Sequence, residues 1–347
     1  MQAPPPSRVL VKEVNWLGDL VMSLPALRAV RHALPRAELT VLVQEKLASF
    51  FAGAKWIDVV MPYTLARGAR GLADRLRIVA ALRARRFDLA ILFPKSFDAA
   101  AWPALARIPR RVGLASDARG WLLTRSTVLT PHTLQSHQVH SYLHMLRDTL
   151  GIDGDPADCT PDVDQGARTR MGAWLTARRR QPTGPLIALA PAAAFGPAKE
   201  WPQQHYAALI DLLAERHHAE CVLVGTAAER DRCAAVAAAS RRGALVAAGE
   251  ADVGEGVALL SLCAGFAGND SGAMHIAGAL GIPTIGLYGS TEPARTAPLG
   301  PRTSVIYHPL ECSPCLQRTC RFGHYHCLTQ ITADEVATAL RDLGALG

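Results

Sequence analysis

Apolar residues in this chain fall into two kinds of pattern. Val9–Val14, Leu39–Val43, Leu89–Phe93, Leu186–Ala190, Cys221–Val224 and Thr284–Leu287 are short, nearly unbroken runs. They are too short for helices and read as strands of a buried parallel sheet. Between them apolar residues recur every three or four positions. Leu20, Leu24, Leu27 and Val30 do so after the first run, with Pro25 required to sit within the first turns or to kink the helix. Leu72, Leu76, Val79 and Leu82 form a stripe in Arg67–Arg86, whose arginines (67, 70, 75, 77, 83, 85 and 86) make it an amphipathic basic helix. Met171–Arg180, Gln203–Arg216, Ala227–Ala239 and Val257–Cys263 also read as helices. Thr332–Leu346 closes the chain as another, with Thr332 and Glu335 as a capping box.

Strand and helix thus alternate in both halves. The pattern predicts an α/β protein built from two doubly wound Rossmann-like domains facing across a cleft. Turn-rich stretches at 153–156 and 181–185 mark the join. The expected division is a first domain over residues 1–165, a second over 166–331, and a C-terminal helix over 332–347 that packs back on the first domain.

Chemistry is expected where ligands of such sheets collect, at the carboxyl ends of strands. The strand Gly265–Asn269 runs into Asp270-Ser271-Gly272-Ala273-Met274-His275 and then a helix through Leu280. Only small side chains occupy its first turn, so the unpaired N–H groups and the helix dipole offer an anion site. Asp270 and Ser271 stand where N-caps belong. Because a carboxylate repels phosphate, Asp270 either caps the helix or faces a sugar hydroxyl. The loop after Ala190 carries Lys199 among small residues, placed to neutralise a phosphate. A lysine and a helix start at neighbouring strand ends suit a diphosphate leaving group. Glu229, after Val224-Gly225-Thr226, is placed to bind ribose hydroxyls, or is a solvated helix carboxylate. The loop after Val14 has neither G-x-G-x-x-G nor G-x-x-x-x-G-K-[ST], which argues against dehydrogenases and P-loop ATPases. It does hold Asp19, a carboxylate able to take a proton from a hydroxyl nucleophile, or simply to cap the following helix.

Composition adds limits. No apolar run in the 347 residues reaches the roughly 18 needed to span a bilayer, and the start lacks the plan of a signal peptide, so a cytoplasmic location is expected. The net charge of +7 favours acidic partners, yet no nucleic-acid-binding motif is present. Cys159, Cys221, Cys233 and Cys263 are scattered; Cys221 and Cys263 lie in or beside apolar runs and read as small core residues. Cys312, Cys315, Cys320 and Cys327 are clustered, and with or without His324 or His326 they form a candidate structural zinc site, the alternative being free thiols that pack the loop.

Four segments, in order, resemble the motifs of glycosyltransferase family 9, the bacterial lipopolysaccharide heptosyltransferases, and within it the heptosyltransferase II pattern. They are Asn15–Ser23, Phe195–Pro202, Asn269–His275, and Cys312–Cys315 with Cys320–Leu328. The likeness runs from Val9 to Val336. It implies a GT-B fold and an inverting transfer from ADP-L-glycero-D-manno-heptose that requires no cofactor. The implied acceptor is the first inner-core heptose on Kdo–lipid A. By the resemblance Asp19 is the base, Lys199 binds diphosphate, Asp270 meets the donor sugar, and Ser271, Gly272, Ala273 and His275 hold the diphosphate at the helix start. Lys95, Arg110 and Arg111 are the expected acceptor contacts. The basic helix and the arginine pair are matched to Kdo carboxylates, lipid A phosphates or the anionic inner face of the inner membrane, where the enzyme would sit peripherally. The chain departs from the family pattern at Ala192, Phe195 and Glu200, and it has Pro94-Lys95-Ser96-Phe97-Asp98-Ala99 where the family often has Pro-Asn-Ser-Phe-Lys-Ser. The alternatives are a sister activity (heptosyltransferase I or III, or another family 9 transferase) and a non-enzymatic nucleotide-binding adaptor at the membrane surface.

Overall fold

A computed structural model describes residues 5–66 and 68–346; Arg67 of the expected basic helix lies outside the described residues. The chain divides into two compact units, Met1–Cys159 and Thr160–Gly347. The first unit runs β1 (Arg8–Lys12), α1 (Leu17–Ala33), β2 (Glu38–Gln44), β3 (Val59–Tyr63), α2 (Ala69–Arg85), β4 (Leu89–Leu92), α3 (Phe97–Leu105), β5 (Arg110–Leu114), β6 (Arg125–Thr127) and α4 (Val139–Leu150). Its six strands are parallel in the order β3-β2-β1-β4-β5-β6. The winding reverses between β1 and β4, so the loops after these two strands flank the switch point where an open α/β sheet binds its ligand.

The second unit repeats the plan with α5 (Gln165–Thr176), β7 (Leu186–Ala190), α6 (Gln203–His217), β8 (Glu220–Leu223), α7 (Arg230–Ala239), β9 (Leu245–Val246), α8 (Val253–Leu260), β10 (Gly265–Asn269), α9 (Gly272–Ala279), β11 (Thr284–Tyr288), β12 (Thr303–Tyr307) and α10 (Ala333–Asp342). The order is β12-β11-β10-β7-β8-β9, again all parallel. Its switch point lies between β7 and β10. The central strands β1, β4, β7 and β10 are almost wholly buried, which is why their sequences are apolar runs with polar residues only at the ends.

Three expectations need correction. The division falls after Cys159, six residues before the expected one (165 against 159), because the turn-rich segment belongs to the first unit. Gly154 lies tight against Ala29 of α1, and Arg28 pairs with Asp158 at 3.5 Å. The last helix is no separate element: α10 packs on α6 and buries Val336 and Leu340 in the second unit's core, beside Trp201, Leu209 and Leu213. The stripe on α2 is also split. Val79 and Leu82 are buried, but Leu72 is 62% exposed and Leu76 59%. Among the described residues no helix is long and apolar enough to cross a membrane.

Candidate active site

The chain leaving β1 is pinned by two buried charged residues. The Lys12 ammonium donates to the Tyr63 hydroxyl (2.6 Å), which donates in turn to Asn15 Oδ1 (2.9 Å). Burial lowers Lys12 to about 7. Glu13 accepts from the Val14 amide (3.1 Å) and the Ser23 hydroxyl (2.9 Å) through one oxygen. Its other oxygen has no hydrogen-bond partner among the described residues, and burial raises the carboxyl to about 7. Anchored on both sides, this stretch presents Asp19 in the first turn of α1, half-buried. The buried Tyr142 of α4 hydrogen-bonds Asp19. Burial foremost, then the Asp19 charge, raises the Tyr142 phenol well above its ordinary value. Asp19 is thus an oriented carboxylate at the switch point of the first sheet.

Lys95 follows β4 and is exposed. Its carbonyl accepts from the Ser116 hydroxyl (2.9 Å), and the neighbouring Ser96 carbonyl accepts from Arg119 (3.0 Å). Arg119 is fully buried and also donates to the Leu114 carbonyl (3.0 Å), so it clamps the loop after β4 to the loop after β5. Arg110 and Arg111 do not join this site. They open β5, with Arg110 paired to Leu89 at the start of β4, so they stand at the amino ends of the parallel strands, whereas Asp19 and Lys95 follow the carboxyl ends. The Arg111 guanidinium is committed to the Leu122 and Ile108 carbonyls.

In the second unit the loop after β7 and the helix after β10 meet. The Lys199 ammonium lies 2.5 Å from Asp270 Oδ2, with only 15% and 5% of the two side chains exposed. The Thr291 hydroxyl donates to the same oxygen (2.8 Å), and His275 Nε2 stands 3.7 Å from Oδ1. Desolvation alone would raise the Asp270 carboxyl, but the neighbouring His275 imidazole and the Lys199 charge hold it well below the usual carboxylate range. Asp270 is therefore an ion-pair partner and does not cap α9. Ser271 is the N-cap residue, yet its hydroxyl makes no cap bond and is buried without a partner. The amides that open α9 at Gly272 and Ala273 thus keep their donors, as does any helix start that lacks a cap. Met274 and His275 are buried behind them.

Asn269 sets the geometry. It is fully buried, accepts from the Trp201 amide (2.9 Å) and donates to the Pro191 carbonyl (2.9 Å), which ties both ends of the Lys199 loop to the end of β10. The Tyr206 hydroxyl joins at 3.1 Å. One oxygen of Glu229 accepts from both the amide (2.7 Å) and the hydroxyl (2.9 Å) of Thr226 in a capping box.

All eight cysteines are free. Cys312, Cys315, Cys320 and Cys327 share one segment, but among the described residues no set of three Cys, His, Asp or Glu side chains converges as a metal requires, so the zinc expectation is not met here. Cys320 faces the backbone amides of Tyr325, Phe322, Gly323 and His324, which outweigh its desolvation and lower its thiol, while the Cys327 sulfur lies over Gly289.

Sequence reasoning passed over Arg119, Asn269 as an organiser, and Thr291. Asn269 had a usable signal, since it is polar and ends a central apolar strand; Thr291, set apart from the end of β11 by Gly289 and Ser290, had little. Arg119 had none, because an arginine in a polar loop reads as solvated.

Known proteins share the sequence pattern and the fold. The profile of glycosyltransferase family 9 (heptosyltransferase) matches residues 75–326. Lipooligosaccharide heptosyltransferase 2 of Haemophilus ducreyi is 30% identical over 97% of this chain and 99% of its own length. Lipopolysaccharide heptosyltransferase 2 of Salmonella typhimurium is 29% identical over 97% and 98%. The structure of E. coli ADP-heptose lps heptosyltransferase II superposes with a TM-score of 0.82 at 27% identity, covering 97% of this chain and 98% of that one. Two parallel doubly wound units of this kind are the GT-B architecture, and the chain belongs to glycosyltransferase family 9.

Proposed function

We propose that the protein transfers L-glycero-D-manno-heptose from ADP-heptose to the first heptose of the lipopolysaccharide inner core. The observation that carries this reading is the Lys199–Asp270 pair beside an uncapped helix start, at the switch point of the second sheet. Lys199 and the amides of Gly272 and Ala273 bind the donor's diphosphate, and Ser271 and His275 shape that helix start. Asp270 meets hydroxyls of the donor sugar, and Glu229 retains one oxygen for the ribose. Asp19 accepts the proton of the acceptor hydroxyl as its oxygen attacks the anomeric carbon. The bond from that carbon to the diphosphate oxygen breaks with inversion. ADP leaves with the electron pair, its growing charge met by Lys199 and the helix start. Lys95 is the acceptor contact retained from the sequence reading.

The acceptor is a Kdo–lipid A glycolipid, so the enzyme works at the cytoplasmic, inner face of the inner membrane. The exposed Leu72 and Leu76, with Arg70 and Arg77 on the same helix, favour peripheral binding to that anionic surface.

Incubation with ADP-heptose and acceptors of graded length tests the reading. Mass spectrometry should find one added heptose on the mono-heptosylated acceptor. Product only from bare Kdo–lipid A or from a longer core would assign a sister activity, and no product from any acceptor would leave a nucleotide-binding protein without transfer.

A further inference from the structure

The cysteine-bearing segment is built into the donor site, and its Arg318 has no role yet. Its backbone binds the Lys199 loop: the Arg318 carbonyl accepts from the Ala198 amide at 3.0 Å. Gly196 is required there. Its φ of +141° is one that side chains rarely adopt, and a Cβ would lie 2.6 Å from the Arg318 carbonyl oxygen. Two residues earlier, the Leu316 amide donates to the Ser290 carbonyl (2.8 Å), next to the Thr291 that holds Asp270. The segment therefore spans the two loops that flank the start of α9. The Ser290 hydroxyl is 1% exposed and has no partner, as has the buried hydroxyl of Ser271.

Charge makes the case. Lys199 is already neutralised by Asp270 at 2.5 Å, whereas the diphosphate of a nucleotide sugar brings two negative charges. The nearby Glu200 is taken by Arg232. One other cation shares the ring that Lys199 touches: the Lys199 ammonium lies 5.0 Å from the Phe195 centroid and the Arg318 guanidinium 5.4 Å. Arg318 is exposed, and among the described residues no carboxylate pairs with it. We infer that Arg318, carried by the cysteine-rich segment and stacked on Phe195, is a second cation for the donor diphosphate. It binds in the ground state and stays on the leaving group as charge builds there. A guanidinium suits the task because its planar fork stacks on an aromatic face while its N–H groups reach phosphate oxygens.

The inference rests on the donor site proposed above, so the test includes a control for that site. ADP and adenosine are titrated into the full-length protein and into Arg318→Ala, Arg318→Lys and Lys199→Ala. Arg318→Ala should weaken ADP roughly tenfold, with a smaller loss at high salt, while adenosine binding stays as in the wild type. Arg318→Lys should fall between the two. ADP affinity within about twofold of wild type in Arg318→Ala, or an equal loss for adenosine, would overturn the inference. If Lys199→Ala still loses ADP binding in that case, the donor site stands and only Arg318 is excluded. If neither variant changes ADP affinity, both readings fall.

Discussion

Removing the Lys199 ammonium should damage the protein in two separable ways. The Asp270 carboxylate is 5% exposed and its nearest cation is 2.5 Å away, so Lys199→Ala strands a buried charge. Breaking one side of a buried pair costs about 3–5 kcal/mol. Lys199 is itself 15% exposed, so water can reach the vacated space, and Thr291 and His275 remain on the carboxylate. Both facts place the cost near the lower end, about 3 kcal/mol. For a unit of this size each kcal/mol moves the melting temperature by roughly 2–4 °C, which gives a fall of about 6–12 °C. The same substitution removes a charge-assisted contact to diphosphate, about 1.5–3 kcal/mol, or roughly 10- to 150-fold in the ADP dissociation constant. Asp270→Asn in the Lys199→Ala background separates the effects. It removes the stranded charge and should recover most of the lost melting temperature, but it cannot restore ADP affinity. Alone, Asp270→Asn should bind ADP at least as tightly as the wild type, because Lys199 no longer shares its charge. Scanning calorimetry and ADP titration on the four proteins read both quantities. A Lys199→Ala protein with unchanged melting and unchanged ADP affinity would refute the reasoning. So would a double variant that regains ADP binding.

Other substitutions probe the remaining parts. Asp19→Asn should cut turnover by roughly 10²–10⁴ while leaving ADP affinity near normal, and an equal loss of ADP binding would contradict its role as base. Glu13→Gln tests the buried carboxyl behind the loop. Because burial raises Glu13 from 4.5 to about 7, the folded state favours its protonated form. The stability this gives is complete below pH 4.5 and is lost as pH climbs through 7, an effect of about 3 kcal/mol at most. The amide variant should flatten the decline in melting temperature between those pH values; an unchanged profile would assign the decline elsewhere. Gly196→Ala forces a Cβ toward the Arg318 carbonyl at a positive φ, a strain of about 1–3 kcal/mol. It should weaken ADP binding more than it lowers overall melting, and normal ADP affinity would show that the loop adapts.

The parts of the fold that were legible in the sequence are those with uniform burial. β1, β4, β7 and β10 lie inside their sheets and are apolar except at their ends, and Asp19, Lys95, Lys199 and Asp270 all follow their carboxyl ends. β3, β6, β9 and β12 were not readable because they are edge strands, half exposed and mixed in polarity, one of them with Pro62 inside it. β5 opens with two arginines, which disguised it and drew Arg110 and Arg111 into the expected acceptor site. A linear sequence does not tell at which edge of a sheet a charged residue stands until the strand itself is recognised. The Lys199–Asp270 contact was similarly hidden. Each residue was assigned to the donor site separately, but a separation of 71 positions along the chain gave no sign that the two pair. The split stripe of α2 shows the opposite failure: helical spacing alone does not say that the face is buried along its whole length.

The account depends on Lys199 and the start of α9 gripping one diphosphate. A crystal structure with bound ADP measures this most directly. The account predicts diphosphate oxygens within about 2.7–3.2 Å of the Lys199 ammonium and of the Gly272 and Ala273 amide nitrogens. A diphosphate lodged elsewhere, with Lys199 still closed on Asp270 and those amides facing solvent, would contradict it.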